Sequence, residues 1–195
     1  MRKIEEVFLH GVPGVTEVWL IRHGDCYEGL SDLSIPDPPL SDFGRRQAAA
    51  LASRIAPYGL VAAYSSPSRR ALETASALGL AINVDERFRE IQNDAAAAVQ
   101  FVMNRYQSFT ETPSEVVARM TAAVDALIER HPGQRVAVVS HGVAILCYLA
   151  SLLRLEFTQL RLLPYYTSIS IIRGKEERRM VGSLVDATHV ADLRP

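Results

Sequence analysis

Two apolar runs, Glu17-Val18-Trp19-Leu20-Ile21 and Arg135-Val136-Ala137-Val138-Val139-Ser140, each break off into a histidine and a glycine, His23-Gly24 and His141-Gly142. Short continuous apolar runs rich in β-branched residues fit parallel strands buried on both faces. In an open α/β sheet the ligand crevice lies beyond the carboxyl ends of the strands, and a glycine just past such an end lets backbone approach closely. The first run also carries Arg22 to the same edge. The pattern therefore restricts the chain to sheets that deliver two imidazoles and a guanidinium to one crevice.

The intervening segments supply the helices such a sheet needs. Ser41 or Asp42 caps a helix with Ala48, Leu51, Ala52 and Ile55 on one face, ending at Pro57 and Gly59. Leu60 to Tyr64 reads as a strand, and Ser65-Ser66-Pro67 opens a helix running to about Leu78, with Pro67 near its first position. Arg69 and Arg70 fall in its first turn, against the macrodipole, where an arginine at a strand's carboxyl end adds a phosphate-binding fork. Ile82 to Val84 is a short strand, and an Ala-rich segment to about Phe109 reads as helix. Thr112-Pro113-Ser114-Glu115 opens a helix whose apolar face is Val116, Val117, Met120, Val124, Leu127 and Ile128, stopped by His131-Pro132-Gly133. The helix after His141, with Ile145, Leu146, Leu149, Leu152 and Leu153, is apolar enough to pack deep beside the sheet. Thr167 to Arg173 and Met180 to Asp186 form a closing antiparallel hairpin around a turn at residues 173–177. Met1 to Gly14 reads as an appended arm, either a dimer contact or disordered. The expected architecture is one domain over residues 1–195, a three-layer α/β/α sandwich with a mostly parallel sheet.

With 195 residues, 48% hydrophobic and 22% charged, the chain can bury a sizeable core. Lys plus Arg number 21 against 22 Asp plus Glu, so no global field favours nucleic acid or an anionic membrane. Cys26 and Cys147 stand far apart without a CxxC, which argues for a reducing compartment. Together with the lack of a signal-like leader or a membrane-length apolar run, this makes the cytoplasm the expected location.

Three chemistries compete for the crevice. Metal ligation lacks an HExxH or a third His or Cys at ligand spacing, and Arg22 and Arg70 repel a cation, so no metal or other cofactor is expected. Cysteine-based phosphate chemistry wants a basic residue six after the thiol, where Asp32 and Leu153 stand. Imidazole attack on phosphorus remains, with arginines neutralising the phosphoryl oxygens and a carboxylic acid protonating the leaving group.

These residues resemble the histidine phosphatase superfamily, the phosphoglycerate-mutase-like enzymes. Arg22-His23-Gly24 is similar to its signature. Pro39 to Ala48 (PLSDFGRRQA), Tyr64 to Ala75 (YSSPSRRALETA), Phe88-Arg89-Glu90-Ile91 and Val138-Val139-Ser140-His141-Gly142 resemble its later blocks, in order, over about residues 16 to 190. The resemblance implies His23 as nucleophile, Arg22, Arg70, His141 and the Gly142 backbone as phosphate holders, and Glu90 as general acid, with Asp25 the rival. It also implies a small phosphorylated substrate, with a phosphoprotein as an alternative. Residues 91–113 are expected to cover the crevice, where Phe101, Met103, Arg105 and Tyr106 meet either the substrate or the core. The chain departs from the family at Gly29, where many relatives place Asn, and after Glu90, where Gln92-Asn93-Asp94 replaces a mutase-like Gly and Trp-Glu-Gly. Gly142 rather than Asp after the second histidine points away from the secreted acid phosphatases. The expected activity is metal-independent phosphomonoester hydrolysis through phosphohistidine, the alternatives being a mutase and an impaired relative that only binds a phosphorylated ligand or partner.

Overall fold

Thr16–Arg22, strand β1, alternates Val18 and Leu20 toward one side with Trp19 and Ile21 toward the other, all of them buried. This computed structural model describes residues 3–29, 35–91, 110–156, 159–162 and 164–195. The remaining strands are β2 (Ala62–Ser65), β3 (Ile82–Val84), β4 (Arg135–Ser140), β5 (Ile169–Lys175) and β6 (Arg178–Asp186), in sheet order β3-β2-β4-β1-β5-β6. The first four in that order are mutually parallel, while β5 runs antiparallel to β1 and β6 to β5. The helices are α1 (Lys3–Val7), α2 (Asp42–Ile55), α3 (Arg69–Ser76), α4 (Pro113–Arg130) and α5 (Gly142–Leu152).

Because β1 and β4 are apolar on both faces, each face is covered by helices. Val18, Leu20, Val136 and Val138 pack with Met120, Val124 and Leu127 of α4 and Ile145 and Leu149 of α5. On the other side Trp19, Ile21, Ala137 and Val139 pack with Leu51 and Ile55 of α2 and Ala71 and Ala75 of α3. The result is the expected three-layer sandwich, closed by an antiparallel hairpin.

Several helix ends follow the sequence. Ser41 caps α2 by accepting the Gly44 amide, and Thr112 and Glu115 make a reciprocal capping box at α4 with Pro113 in its first turn. Others differ. Helix α3 begins at Arg69, with Ser68 as its N-cap, so Pro67 precedes the helix and does not occupy its first position. Leu153 lies outside α5 and is exposed, since the chain turns away there. The closing turn is only Glu176-Glu177, and β5 continues through Gly174. A Cβ at Gly174 would come within 2.2 Å of Ile128 Cδ1, so this glycine serves strand–helix packing instead of chain reversal. The arm is fastened down where it is described: Arg178 donates to the Glu6 and Val7 carbonyls, Lys175 donates to the Pro13 carbonyl, and Leu9 is buried. The helix expected to reach Phe109, and most of the 91–113 segment with Phe101, Met103, Arg105 and Tyr106, lie outside the described residues. Among the described residues no helix is long and apolar enough to cross a membrane.

Candidate active site

Strand β4 is flanked by β1 and β2, all parallel, so three carboxyl ends open on the same edge. The register pairs Arg22 with Ser140, which makes the following residues, His23 and His141, neighbours across the sheet. Their rings meet edge to face with centroids 5.1 Å apart, close to the ~4.8 Å spacing of adjacent strands. From the third strand end the chain passes through Ser66 into α3, bringing in Arg70.

Each imidazole is fixed at one nitrogen by a partner of known character. His23 Nδ1 lies 2.7 Å from its neighbour's carbonyl, Gly24 O, which can only accept, so Nδ1 carries the hydrogen and Nε2 holds the lone pair. Arg70 Nε donates to that Nε2 at 3.3 Å. The same guanidinium, through Nη2, donates to His141 Nδ1 at 3.2 Å, and His141 Nε2 bonds Ser66 Oγ at 2.8 Å. One arginine thus spans both free ring nitrogens. Burial, reinforced by Arg22 and Arg70, holds the His23 pKa well below the ordinary 6.5. For His141 the shift has the same sign, burial leading and His23 and the arginines adding to it. Both rings are therefore neutral at pH 7, and His23 Nε2 is a free base in a cationic surrounding.

Arg22 is held from three sides. Its Nη1 donates to Pro164 O at 2.8 Å, and its Cζ sits 4.0 Å above the Tyr166 ring, a cation–π contact. A Cβ on Gly142 would lie 3.3 Å from Arg22 Nε, so a side chain there would press on the guanidinium. Arg22 Nε is buried without a hydrogen bond among the described residues, a spare donor suited to an oxyanion. Of the two arginines opening α3, Arg70 enters the crevice, whereas Arg69 pairs with Glu73 on the surface.

Glu90 reaches the start of α5. Its Oε1 accepts the Ala144 amide at 2.8 Å and its Oε2 the Val143 amide at 3.2 Å, beside Gly142. His141, the N-cap residue, makes no side-chain cap, so Glu90 takes that place. It pairs with neither Arg87, which holds Asp85, nor Arg89, which holds Glu111. Asp25 is committed elsewhere: its Oδ2 accepts from the Tyr27 and Glu28 amides and from Ser41 Oγ, binding the loop after His23 to the start of α2. Gly29 takes a left-handed φ of +72°, with open space where a Cβ would be. The Cys26 thiol, close to both arginines, is pushed up to about 11 by burial and carries no thiolate at neutral pH.

Three contributors escape sequence reasoning. Ser66 orients His141; its signal is a hydroxyl just past the end of β2, one residue short of the level of both histidines. Thr74 accepts the Gly24 amide at 3.0 Å and donates to Arg70 O, joining the loop after His23 to α3. Asp37 accepts from the Arg69 amide and from Arg70 Nη1 at 3.1 Å, capping α3 from a distant loop and steering Arg70. No local pattern marks such a long-range cap.

Comparisons with known proteins identify relatives of the chain. The chain is 28% identical over 203 residues to phosphoserine phosphatase 1 of Hydrogenobacter thermophilus, covering 89% of this chain and 94% of that one. It is 28% identical over 162 residues to a probable phosphoglycerate mutase, GpmB, of Yersinia enterocolitica, covering 71% and 75%. The solved structure of Bacillus stearothermophilus YhfR superposes with a TM-score of 0.74 at 28% identity, over 90% of this chain and 99% of that one. Residues 18–187 match the profile of branch 1 of the histidine phosphatase superfamily, and with both histidine-tipped strands inside that span, the chain belongs to this family of phosphatases and phosphoryl-transfer enzymes.

Proposed function

We propose that the protein hydrolyses phosphomonoesters without a metal, through a phosphohistidine on His23. The observation that carries this reading is the single guanidinium of Arg70 lying between His23 Nε2 and His141 Nδ1, each ring having its other nitrogen engaged by the protein. A phosphoryl group placed against that guanidinium meets a neutral nucleophile and donors for its equatorial oxygens. His23 Nε2 attacks phosphorus in line, the P–O bond to the leaving alcohol breaks, and Glu90 gives that oxygen its proton. The carbonyl of Gly24, holding Nδ1–H, stabilises the positive charge the ring gains. Arg22, Arg70 and the Gly142 amide spread the charge of the transferring group, an effect larger in a partly dry cleft than in water, and His141 joins them once the bound dianion draws a proton onto its Nδ1. Glu90, now a carboxylate, takes a proton from the water that cleaves the P–N bond, which returns inorganic phosphate and free His23.

The substrate is proposed to be a small phosphorylated molecule, with phosphopeptides as the second class to screen, and the location to be cytoplasmic. Release of phosphate from p-nitrophenyl phosphate in EDTA, and alkali-stable, acid-labile label on the wild type but not on His23→Ala, are the expected results. Release surviving in His23→Ala would overturn the mechanism, and binding of phosphorylated ligands without any turnover would mark an impaired relative. Mutase chemistry, suggested by the name of the Yersinia relative, requires phosphoryl exchange between phosphoglycerates in place of release to water.

A further inference from the structure

We propose that Arg119, anchored by Glu111, is a positioning residue that sets where Glu90 presents its carboxyl group; the inference rests on the acid role assigned to Glu90 above. Arg119 projects from α4, and its side chain is about 10% exposed, against 7% for Glu111. The two meet as a fork on a fork: Arg119 Nε donates to Glu111 Oε1 at 2.7 Å and Nη2 to Oε2 at 2.9 Å. The remaining donors of that guanidinium are spent on main chain. Nη1 donates to the carbonyls of Arg87 and Arg89 at 2.7 and 2.8 Å, and Nη2 to the carbonyl of Glu90 at 3.3 Å. Arg89 bonds Glu111 as well, at 3.1 Å.

This arrangement is directed at one short stretch. Residues 89–91 follow the short 3-10 turn Glu86–Phe88 and belong to no helix or strand, so no ladder of a helix or sheet fixes their backbone, and they carry Glu90 from the end of that turn to the start of α5. Three carbonyls gathered on one buried, planar guanidinium fix both the position and the tilt of that backbone, and the carboxyl of Glu90 then lands on the Val143 and Ala144 amides beside Gly142. A buried ion pair is weak ground for stability, because desolvation offsets the Coulombic gain. Its geometry, in contrast, is exacting: displacement of a reacting group by about 1 Å can cost ~10²-fold in rate. Lysine cannot replace the fork, since an ammonium has no fixed plane with which to hold several carbonyls.

The test compares phenyl phosphate with p-nitrophenyl phosphate, which differ little in shape but greatly in how much the departing oxygen needs a proton. kcat/KM reports the step in which that oxygen leaves. Glu90→Gln is expected to lose activity mainly on phenyl phosphate, within the ~10²–10⁴-fold that proton donation supplies. Arg119→Lys is expected to lose about tenfold on phenyl phosphate, a fraction of the same effect, while staying within about threefold of wild type on p-nitrophenyl phosphate. The double variant should be no worse than Glu90→Gln alone on phenyl phosphate. Glu111→Gln, which keeps the carbonyl contacts and weakens the anchor, repeats the selective loss at smaller amplitude and serves if Arg119→Lys does not fold. Equal losses on both substrates, or no loss in either variant, overturn the positioning role. A Glu90→Gln enzyme without selective loss, or a wild type inactive on both esters, overturns the reading of the site itself.

Discussion

His23 is held as a neutral base by influences of one sign: burial, and the guanidiniums of Arg22 and Arg70. In a histidine NMR titration its signal, and that of His141, should keep the neutral form as pH falls through 6.5, the ordinary value for both. A midpoint at 6.5 for either ring would contradict this. Ser66→Ala removes the hydroxyl that meets His141 Nε2, a change expected to cost about 1–3 kcal/mol at a buried polar group and to lower kcat/KM about tenfold or more. The paired histidines were legible in the sequence because strand period and strand end are local patterns. Ser66, Thr74 and Asp37 were not, because each acts through a partner at least 32 positions away. Glu90 meets main-chain amides of α5, partners that no side-chain pattern encodes.

Among the elements, the tightest junction of the described residues is that of the loop after His23 with α2. A Cβ on Gly44 would fall 1.9 Å from Asp25 O, and one on Gly24 2.8 Å from Gly44 O. Two backbones touch there, with no flexible side chain to yield. Gly44→Ala is expected to destabilise the fold by about 3 kcal/mol or more, at the upper end of overpacking costs, seen as a lower urea midpoint with lost activity. Retention of both would show that the loop can move aside. The α2 cap at Ser41 was readable from residue type, and so was the capping box of α4. The start of α3 was not, because its cap, Asp37, comes from another loop and its own Ser68 makes no cap bond. Gly174 misled for a related reason: a glycine near a chain reversal suggests a turn, but its purpose here is space for Ile128 on a different element.

For the whole molecule the buried imidazoles couple folding to pH. The pKa values of His23, His141 and His189 are all lowered on folding, so below 6.5 the unfolded chain binds more protons than the native one. Stability from this source is complete above pH 6.5 and is lost as pH falls toward the native values, by up to about 1.4 kcal/mol per pH unit for each ring. Urea midpoints should therefore decline between neutral and mildly acidic pH, and less so in His141→Asn. A flat profile across that window would contradict the depressed values. The overall layering was legible because alternating apolar strands and amphipathic helices admit few arrangements, whereas how the arm is tied down depends on Arg178 and Lys175, far along the chain. The matched ends of β1 and β4 have one more result. A slip of one position between them would turn His141 to the opposite face, leaving no half-working form. Under the proposed mechanism, the amount of phosphoryl label trapped on a refolded sample would then report correctly threaded molecules, making the protein its own gauge of folding yield.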